Sequence, residues 1–154
     1  MNNKINYIKG DATYPIGEGK KILCHICNDE QKWGAGFVLA ISKHWKEPEI
    51  TYRNENVRDL RLGDVQFVNV EDDIIVANMI AQRGVGYDFT SGRPPIRYNA
   101  VHMCLVKVND WACKIGATLH MPRIGCGLGG GQWKIIEQII QDVVSVDVTV
   151  YDLQ

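Results

Sequence analysis

No apolar run in this chain reaches the roughly 18 residues that a membrane-crossing helix needs, so no membrane partner is expected. The polar start Met1-Asn2-Asn3-Lys4 has none of the apolar core of a secretion signal. Neither sign of charge is in excess: 17 Lys and Arg stand against 18 Asp and Glu, a formal net charge of -1. Without a basic surplus there is no electrostatic footprint for a nucleic-acid polymer or an anionic lipid surface. A nucleotide-related ligand is therefore expected to be small. The five cysteines, Cys24, Cys27, Cys104, Cys113 and Cys126, are odd in number and several lie in apolar segments. They read as reduced, mostly buried thiols of a cytoplasmic protein. They also make no metal set, because a strand sends Cys24 and Cys27 to opposite faces and no second pair completes a zinc site. No metal and no cofactor are expected. Repeats, linkers and low-complexity tracts are absent too, so residues 1–154 read as one domain.

Glycine, by contrast, is concentrated. Five of the seven residues in Gly125-Cys126-Gly127-Leu128-Gly129-Gly130-Gly131 are glycine, between the β-like Met121-Pro122-Arg123-Ile124 and a helical pattern from Trp133. A bare turn needs one or two. A loop this stripped of side chains exposes backbone N–H groups, and a following helix start adds its dipole, so both favour an anion. Gly125, Cys126, Gly127, Leu128, Gly129 and Gly130 are accordingly expected to hold a phosphate or diphosphate, with Cys126 a small filler slightly acidified by the helix start. A second glycine turn, Trp33-Gly34-Ala35-Gly36-Phe37, opens another helical pattern, so two loops can face one ligand.

Periodicity supplies the frame. Strands are expected at Ile5–Ile8, Ile22–Cys27, Asp64–Val70, Ile74–Ala81, Ala117–Ile124 and Asp147–Leu153, with Glu71-Asp72-Asp73 as a solvated hairpin turn. Helices are expected at Ala35–Trp45, stopped by Pro48, at Tyr98–Ile115 with Gly116 as cap, and at Trp133–Val144. Trp111 and Trp133 read as core anchors. Residues 82–97, with three glycines and two prolines, read as a long functional loop. Strands alternating with helices imply a largely parallel sheet, whose ligands lie beyond the carboxyl ends of the strands.

Lys9-Gly10-Asp11-Ala12-Thr13, then Cys24-His25-Ile26-Cys27-Asn28 leading to Gly34-Ala35-Gly36-Phe37, then Pro122-Arg123-Ile124-Gly125-Cys126-Gly127-Leu128 resemble, in order and over nearly the whole chain, a macrodomain. The likeness is to the branch with the terminal ADP-ribose protein glycohydrolase and the yeast-type ADP-ribose 1''-phosphate phosphatase. It implies an α/β fold, three-layer α/β/α with a mixed, largely parallel central sheet, holding ADP-ribose above the sheet. By the same resemblance Asp11, beside Ala12, accepts from the adenine amino group, a job a carboxylate suits. Gly34, Ala35, Gly36 and Phe37 lie by the distal ribose and diphosphate, and Gly125 to Gly130 form the phosphate loop.

His25 and Asn28 are the catalytic candidates, His25 as base or acid and Asn28 as an orienter. Flanked by Cys24 and Ile26, His25 also reads as a satisfied buried imidazole. Gln82 and Arg97, and more weakly Arg93, are candidates for ribose or phosphate contacts. Tyr87, Phe89 and Tyr98 are candidates to cover the adenine or the distal ribose. Two departures matter. Gly129 stands where the glycohydrolase has an aspartate, and the segment Pro94-Pro95-Ile96-Arg97-Tyr98 lacks its lysine. Arginine stays protonated and cannot replace that nucleophile. The expected function is binding of ADP-ribose with hydrolysis of ADP-ribose 1''-phosphate or a related ADP-ribosyl ester. The alternatives are a non-catalytic ADP-ribose-binding module and action on ADP-ribosylated protein or nucleic-acid ends. A dinucleotide oxidoreductase would carry its glycine fingerprint in the first strand–helix unit, not near the C-terminus.

Overall fold

A computed structural model describes residues 5–87, 89 and 91–153. The polar start at 1–4, on which the secretion-signal reading rests, and residues 88 and 90 of the long loop lie outside the described residues. The elements run β1 (Ile5–Lys9), β2 (Lys21–Asn28), α1 (Phe37–His44), α2 (Glu47–Asn54), a 3-10 turn Val57–Asp59, β3 (Val65–Glu71), β4 (Ile74–Gln82), α3 (Tyr98–Ile115), β5 (Thr118–Met121), α4 (Trp133–Val143) and β6 (Val148–Asp152). The six strands form one sheet in the order β1-β6-β5-β2-β4-β3. All neighbours are parallel except β3, which returns antiparallel along β4.

Strands β2 and β4 are central and covered on both faces, which is why they read as near-continuous apolar runs. Their alternate residues divide the core. Ile22, Cys24, Ala77 and Met79 face α3 and α4, together with Val101, Leu105, Val108, Ile136 and Ile140. Leu23, Cys27, Val76 and Ile80 face α1 and α2, with Trp33, Ile41, Trp45 and Tyr52. Cys24 and Cys27 therefore point into different layers, as the strand period requires. Each fully buried aliphatic on α3's inner face contributes about 1.5–3 kcal/mol by leaving water. Helix α3 stops at Gly116, whose φ of 72° and ψ of 37° fit the left-handed cap, its N–H bonding Ala112 O. The three-layer α/β/α arrangement matches the expectation in every layer.

Three local expectations are corrected. Pro48 does not close a helix but opens one: it sits in the first turn of α2, where its missing N–H costs nothing, beside Glu47 and Glu49 at the positive helix end. Trp111 is 39% exposed rather than a core anchor, and rests against the equally exposed Phe67 with ring centroids 6.0 Å apart. Strand β5 ends at Met121, three residues early, because Pro122 has no N–H for a further ladder bond. Among the described residues, no helix is long and apolar enough to cross a membrane.

Candidate functional site

Beyond the carboxyl ends of β2, β4 and β5 opens a cavity of about 780 Å³. Gly34, Ala35, Gly36, Phe37 and Val38 line one side, and Gly125, Gly127, Leu128 and Gly129 the other. The two loops touch: a Cβ on Gly36, at φ 86°, would come within 3.3 Å of Leu128 Cδ1. Gln82 lies between them, its amide donating to Gly84 O at 2.9 Å.

The second loop is folded tightly on itself. Gly131 N–H bonds Gly125 O at 2.7 Å, Gly130 N–H bonds Gly127 O at 3.1 Å, and Cys126 N–H bonds Arg123 O at 3.3 Å. The amides of Gly127, Leu128 and Gly129 make no such bond among the described residues. Those of Gly34, Ala35, Gly36, Phe37 and Val38, on the first turn of α1 and the loop before it, likewise make no such bond among the described residues. This reverses one expectation. The helix start that borders the cavity belongs to α1. That of α4 is turned away, with Gln132 N–H given to Tyr98 Oη at 2.9 Å and Gly130 packed against Pro94. Gly130 and Cys126 do not line the cavity. Burial raises the Cys126 thiol, against a smaller lowering by Arg123, so it is not acidified.

His25 is 2% exposed yet lines the cavity, edge-on to Trp33 with centroids 5.4 Å apart. Its Nε2 is 2.5 Å from Asn78 Oδ1. Asn78 Nδ2 donates to Pro48 O and to Gln66 Oε1, both at 3.1 Å. A backbone carbonyl only accepts, so Asn78 presents its oxygen to His25, and Nε2 carries the ring proton. Burial pushes the imidazole down to about 4, against a smaller raising by Asn78. The expected role as an acid runs against this geometry: the ring is neutral near pH 7 and its N–H is committed to Asn78, which leaves Nδ1 as a weakly basic acceptor. The neighbouring Cys27 thiol is pushed well up, first by burial, so it is no thiolate nucleophile.

Asn28 is similarly occupied. Its Oδ1 accepts from Glu30 N–H at 2.9 Å, Lys32 N–H at 3.1 Å and Tyr52 Oη at 2.9 Å, and its Nδ2 donates to Lys32 O at 2.7 Å. It lines the cavity but serves first to shape the turn that carries the Gly34–Gly36 loop, not to orient a substrate. Arg97 is corrected outright. It is 6% exposed and donates to the carbonyls of Pro94, Pro95 and Ile96, pinning the long loop to the head of α3. Arg93, Tyr87, Phe89 and Tyr98 do not line the cavity either; Val85 of the same loop does. Asp11 and Ala12 also stand outside the lining. Ala12 is buried against the α1 layer, and Asp11 Oδ1 accepts from Thr13 N–H at 2.9 Å and Thr13 Oγ1 at 2.7 Å.

Sequence reasoning missed Arg123 and Lys32, both at the cavity. Arg123 lies inside the Pro122-to-Leu128 motif, but nothing in its local pattern reveals the partners that hold it. No carboxylate lines the cavity among the described residues. Nor does any cluster of His, Cys, Asp and Glu there suit a metal ion.

No family model matches the chain. It is 31% identical over 150 residues to the mouse chromodomain-helicase-DNA-binding protein 1-like, spanning only 16% of that protein's length. It is 27% identical to the ADP-ribose 1''-phosphate phosphatase of Candida albicans, covering 96% of this chain and 98% of that one. Among solved structures, a protein of unknown function from Bacteroides thetaiotaomicron superposes with a TM-score of 0.92 at 53% identity, over 97% of this chain and 98% of the other. A macrodomain protein from Streptomyces coelicolor superposes with a TM-score of 0.81 at 42% identity, over 97% and 99%.

Proposed function

Since the chain belongs to the macrodomain family, we propose that its cavity binds ADP-ribose and that it hydrolyses ADP-ribose 1''-phosphate or a related ADP-ribosyl ester. One observation carries the reading: two glycine loops with uncommitted amides face each other across the cavity, one of them at the start of α1. Such amides suit a diphosphate, and the α1 dipole adds to them. The Candida phosphatase, similar over nearly its full length, supports the substrate class.

The lining also favours an ester. A phosphate or carboxylate leaves C1'' as an anion and needs no proton from the protein, only stabilisation of its charge. Backbone N–H groups fixed in advance provide that. The C1''–O bond breaks with its electron pair on the departing oxygen, water oxygen bonds to C1'', and the water's proton passes to solvent. An amine or alkoxide leaving group would need a general acid, and neutral His25 and protonated Cys27 are poor ones. Release of phosphate from ADP-ribose 1''-phosphate above a boiled control tests the activity, and no release at high enzyme concentration removes it.

A second reading is a binding module without chemistry. It is favoured by Gly129, where no side chain fits, and by the absence of a carboxylate from the described lining. Calorimetric binding of ADP-ribose without turnover of phosphorylated or protein-linked substrates would establish it. ADP-ribosylated protein or nucleic-acid ends are the macromolecular partners to assay in either case.

A further inference from the structure

Two cations line the cavity, Lys32 and Arg123, and their charges are matched to different degrees. Arg123 gives Nε and Nη2 to both oxygens of Asp152, at 2.7 and 3.0 Å, so a fork-to-fork partner already satisfies it. Lys32 has one carboxylate contact: its Nζ lies 3.2 Å from Glu30 Oε1, with both side chains half exposed or more. A pair of that kind is weak and opens readily to a stronger anion.

The contacts of Glu30 place the ammonium. Its Oε2 packs against Gly84, where an added Cβ would stand 3.2 Å away. Gly84 N–H bonds Asp29 Oδ1 at 2.9 Å, and Gly84 O accepts from the Gln82 amide. The Lys32–Glu30 pair thus sits where the turn after β2 meets the loop after β4, at the Asn28, Gln82 and Val85 end of the lining. Arg123 lies past β5. Since β4 and β5 flank β2 on opposite sides, the two cations stand at opposite ends of the cavity.

The turn is built to hold Lys32 at that end. Asn28 grips it twice, accepting from Lys32 N–H at 3.1 Å and donating to Lys32 O at 2.7 Å. The preceding Gln31 has a φ of 63°, the one positive value outside glycine among the described residues and a conformation that side chains disfavour. Its amide donates to Tyr52 O at 3.3 Å, to Arg53 O at 3.0 Å and to Glu55 O, carbonyls at the end of α2 that the helix leaves unpaired. Arg53 Nη1 returns a bond to Gln31 O at 3.2 Å. A strained residue tied down in this way fixes the backbone of its neighbour, and only the four-carbon stem of Lys32 is left to move.

A ligand whose diphosphate occupies the two glycine loops brings any further anion to one end of the cavity or the other. Arg123 is already satisfied and Lys32 is not. We propose that Lys32 is the residue that selects a phosphate on C1'': its ammonium leaves Glu30 and pairs with that group. This rests on the ADP-ribose reading above and narrows the substrate class, because a carboxylic ester brings no negative charge to the same place.

Titration calorimetry of the full chain tests it with two ligands, ADP-ribose and its 1''-phosphonate, in which CH2 replaces the ester oxygen so that nothing is hydrolysed. The wild-type protein is expected to bind the phosphonate about fivefold more tightly, the size of one partly exposed ion pair. Lys32→Met keeps the stem without the charge and is expected to remove that advantage while leaving ADP-ribose affinity unchanged. Lys32→Glu is expected to turn the advantage into a penalty. An advantage that survives either substitution overturns the assignment, as does equal weakening of both ligands or a wild-type protein that binds ADP-ribose and gains nothing from the phosphonate. Failure of the wild-type protein to bind ADP-ribose at all is a different result: it overturns the ADP-ribose reading itself.

Discussion

A Cβ built on Gly129 would stand 2.8 Å from the carbonyl oxygen of Gly125 and 3.2 Å from Gln82 Oε1. The loop is closed so tightly here that no side chain fits without moving backbone. The aspartate that the resemblance to the glycohydrolase branch would imply at this point is therefore excluded by this loop's geometry. Gly129→Asp is expected to disrupt the loop, to reduce ADP-ribose affinity at least tenfold and to lower phosphate release from ADP-ribose 1''-phosphate with it. Calorimetry and a phosphate-release assay on the one variant check both parts.

Protonation of the two buried imidazoles sets an acid limit on stability. Burial lowers His25 to about 4, and lowers His120 to about 4 with a smaller push from Lys21. Above the ordinary value near 6.5 both are neutral, folded or unfolded, and contribute no pH dependence. Between 6.5 and 4 the unfolded chain takes up protons that the folded chain refuses. Stability accordingly falls as pH falls, by up to ~3 kcal/mol per imidazole. Urea midpoints measured from pH 7.5 to 4.5 are expected to decline steadily below 6.5 and to be flat, from these groups, above it.

The same burial makes a prediction about turnover. With His25 lowered to about 4, the rate of ADP-ribosyl ester hydrolysis is expected to show no inflection from it near pH 6.5. Profiles of kcat and of kcat/KM over pH 5.5 to 8 are expected to be level once loss of folded protein is corrected for. A bell-shaped profile centred in that range would contradict the lowered value of His25.

Asn78→Leu probes the bond that fixes the imidazole. It leaves the His25 Nε2–H, and the acceptors on Pro48 and Gln66, without their partner. A cost of about 1–3 kcal/mol is expected in thermal or urea unfolding. A loss below half a kcal/mol would mean that the short contact adds little.

How much of this was legible in the sequence depended on where each signal lives. Helix α3 was readable to the residue, because its apolar face repeats over eighteen positions and ends on Gly116. The glycine loops were readable because only backbone use explains five glycines in seven places. Helix α2 was hidden, since Pro48 looks the same whether it stops one helix or starts another; only the acidic pair Glu47 and Glu49 hinted at the second. Site polarity was the least readable part. Asn28, Arg97 and His25 carry chemistry that suits a ligand, yet spend it on Lys32, the Pro94–Ile96 carbonyls and Asn78, partners fixed by loop closure and strand pairing. Arg123 was the converse, a residue whose neighbours Asp152, Tyr7 and Trp133 come from three distant segments.

Amide chemical shifts followed during titration with ADP-ribose test the central claim most directly. Binding across the two loops predicts large, saturable shifts at Gly34, Ala35, Gly36, Phe37, Gly127, Leu128 and Gly129, with little change at the start of α4. Resonances of both loops that stay in place at saturating ligand would contradict it.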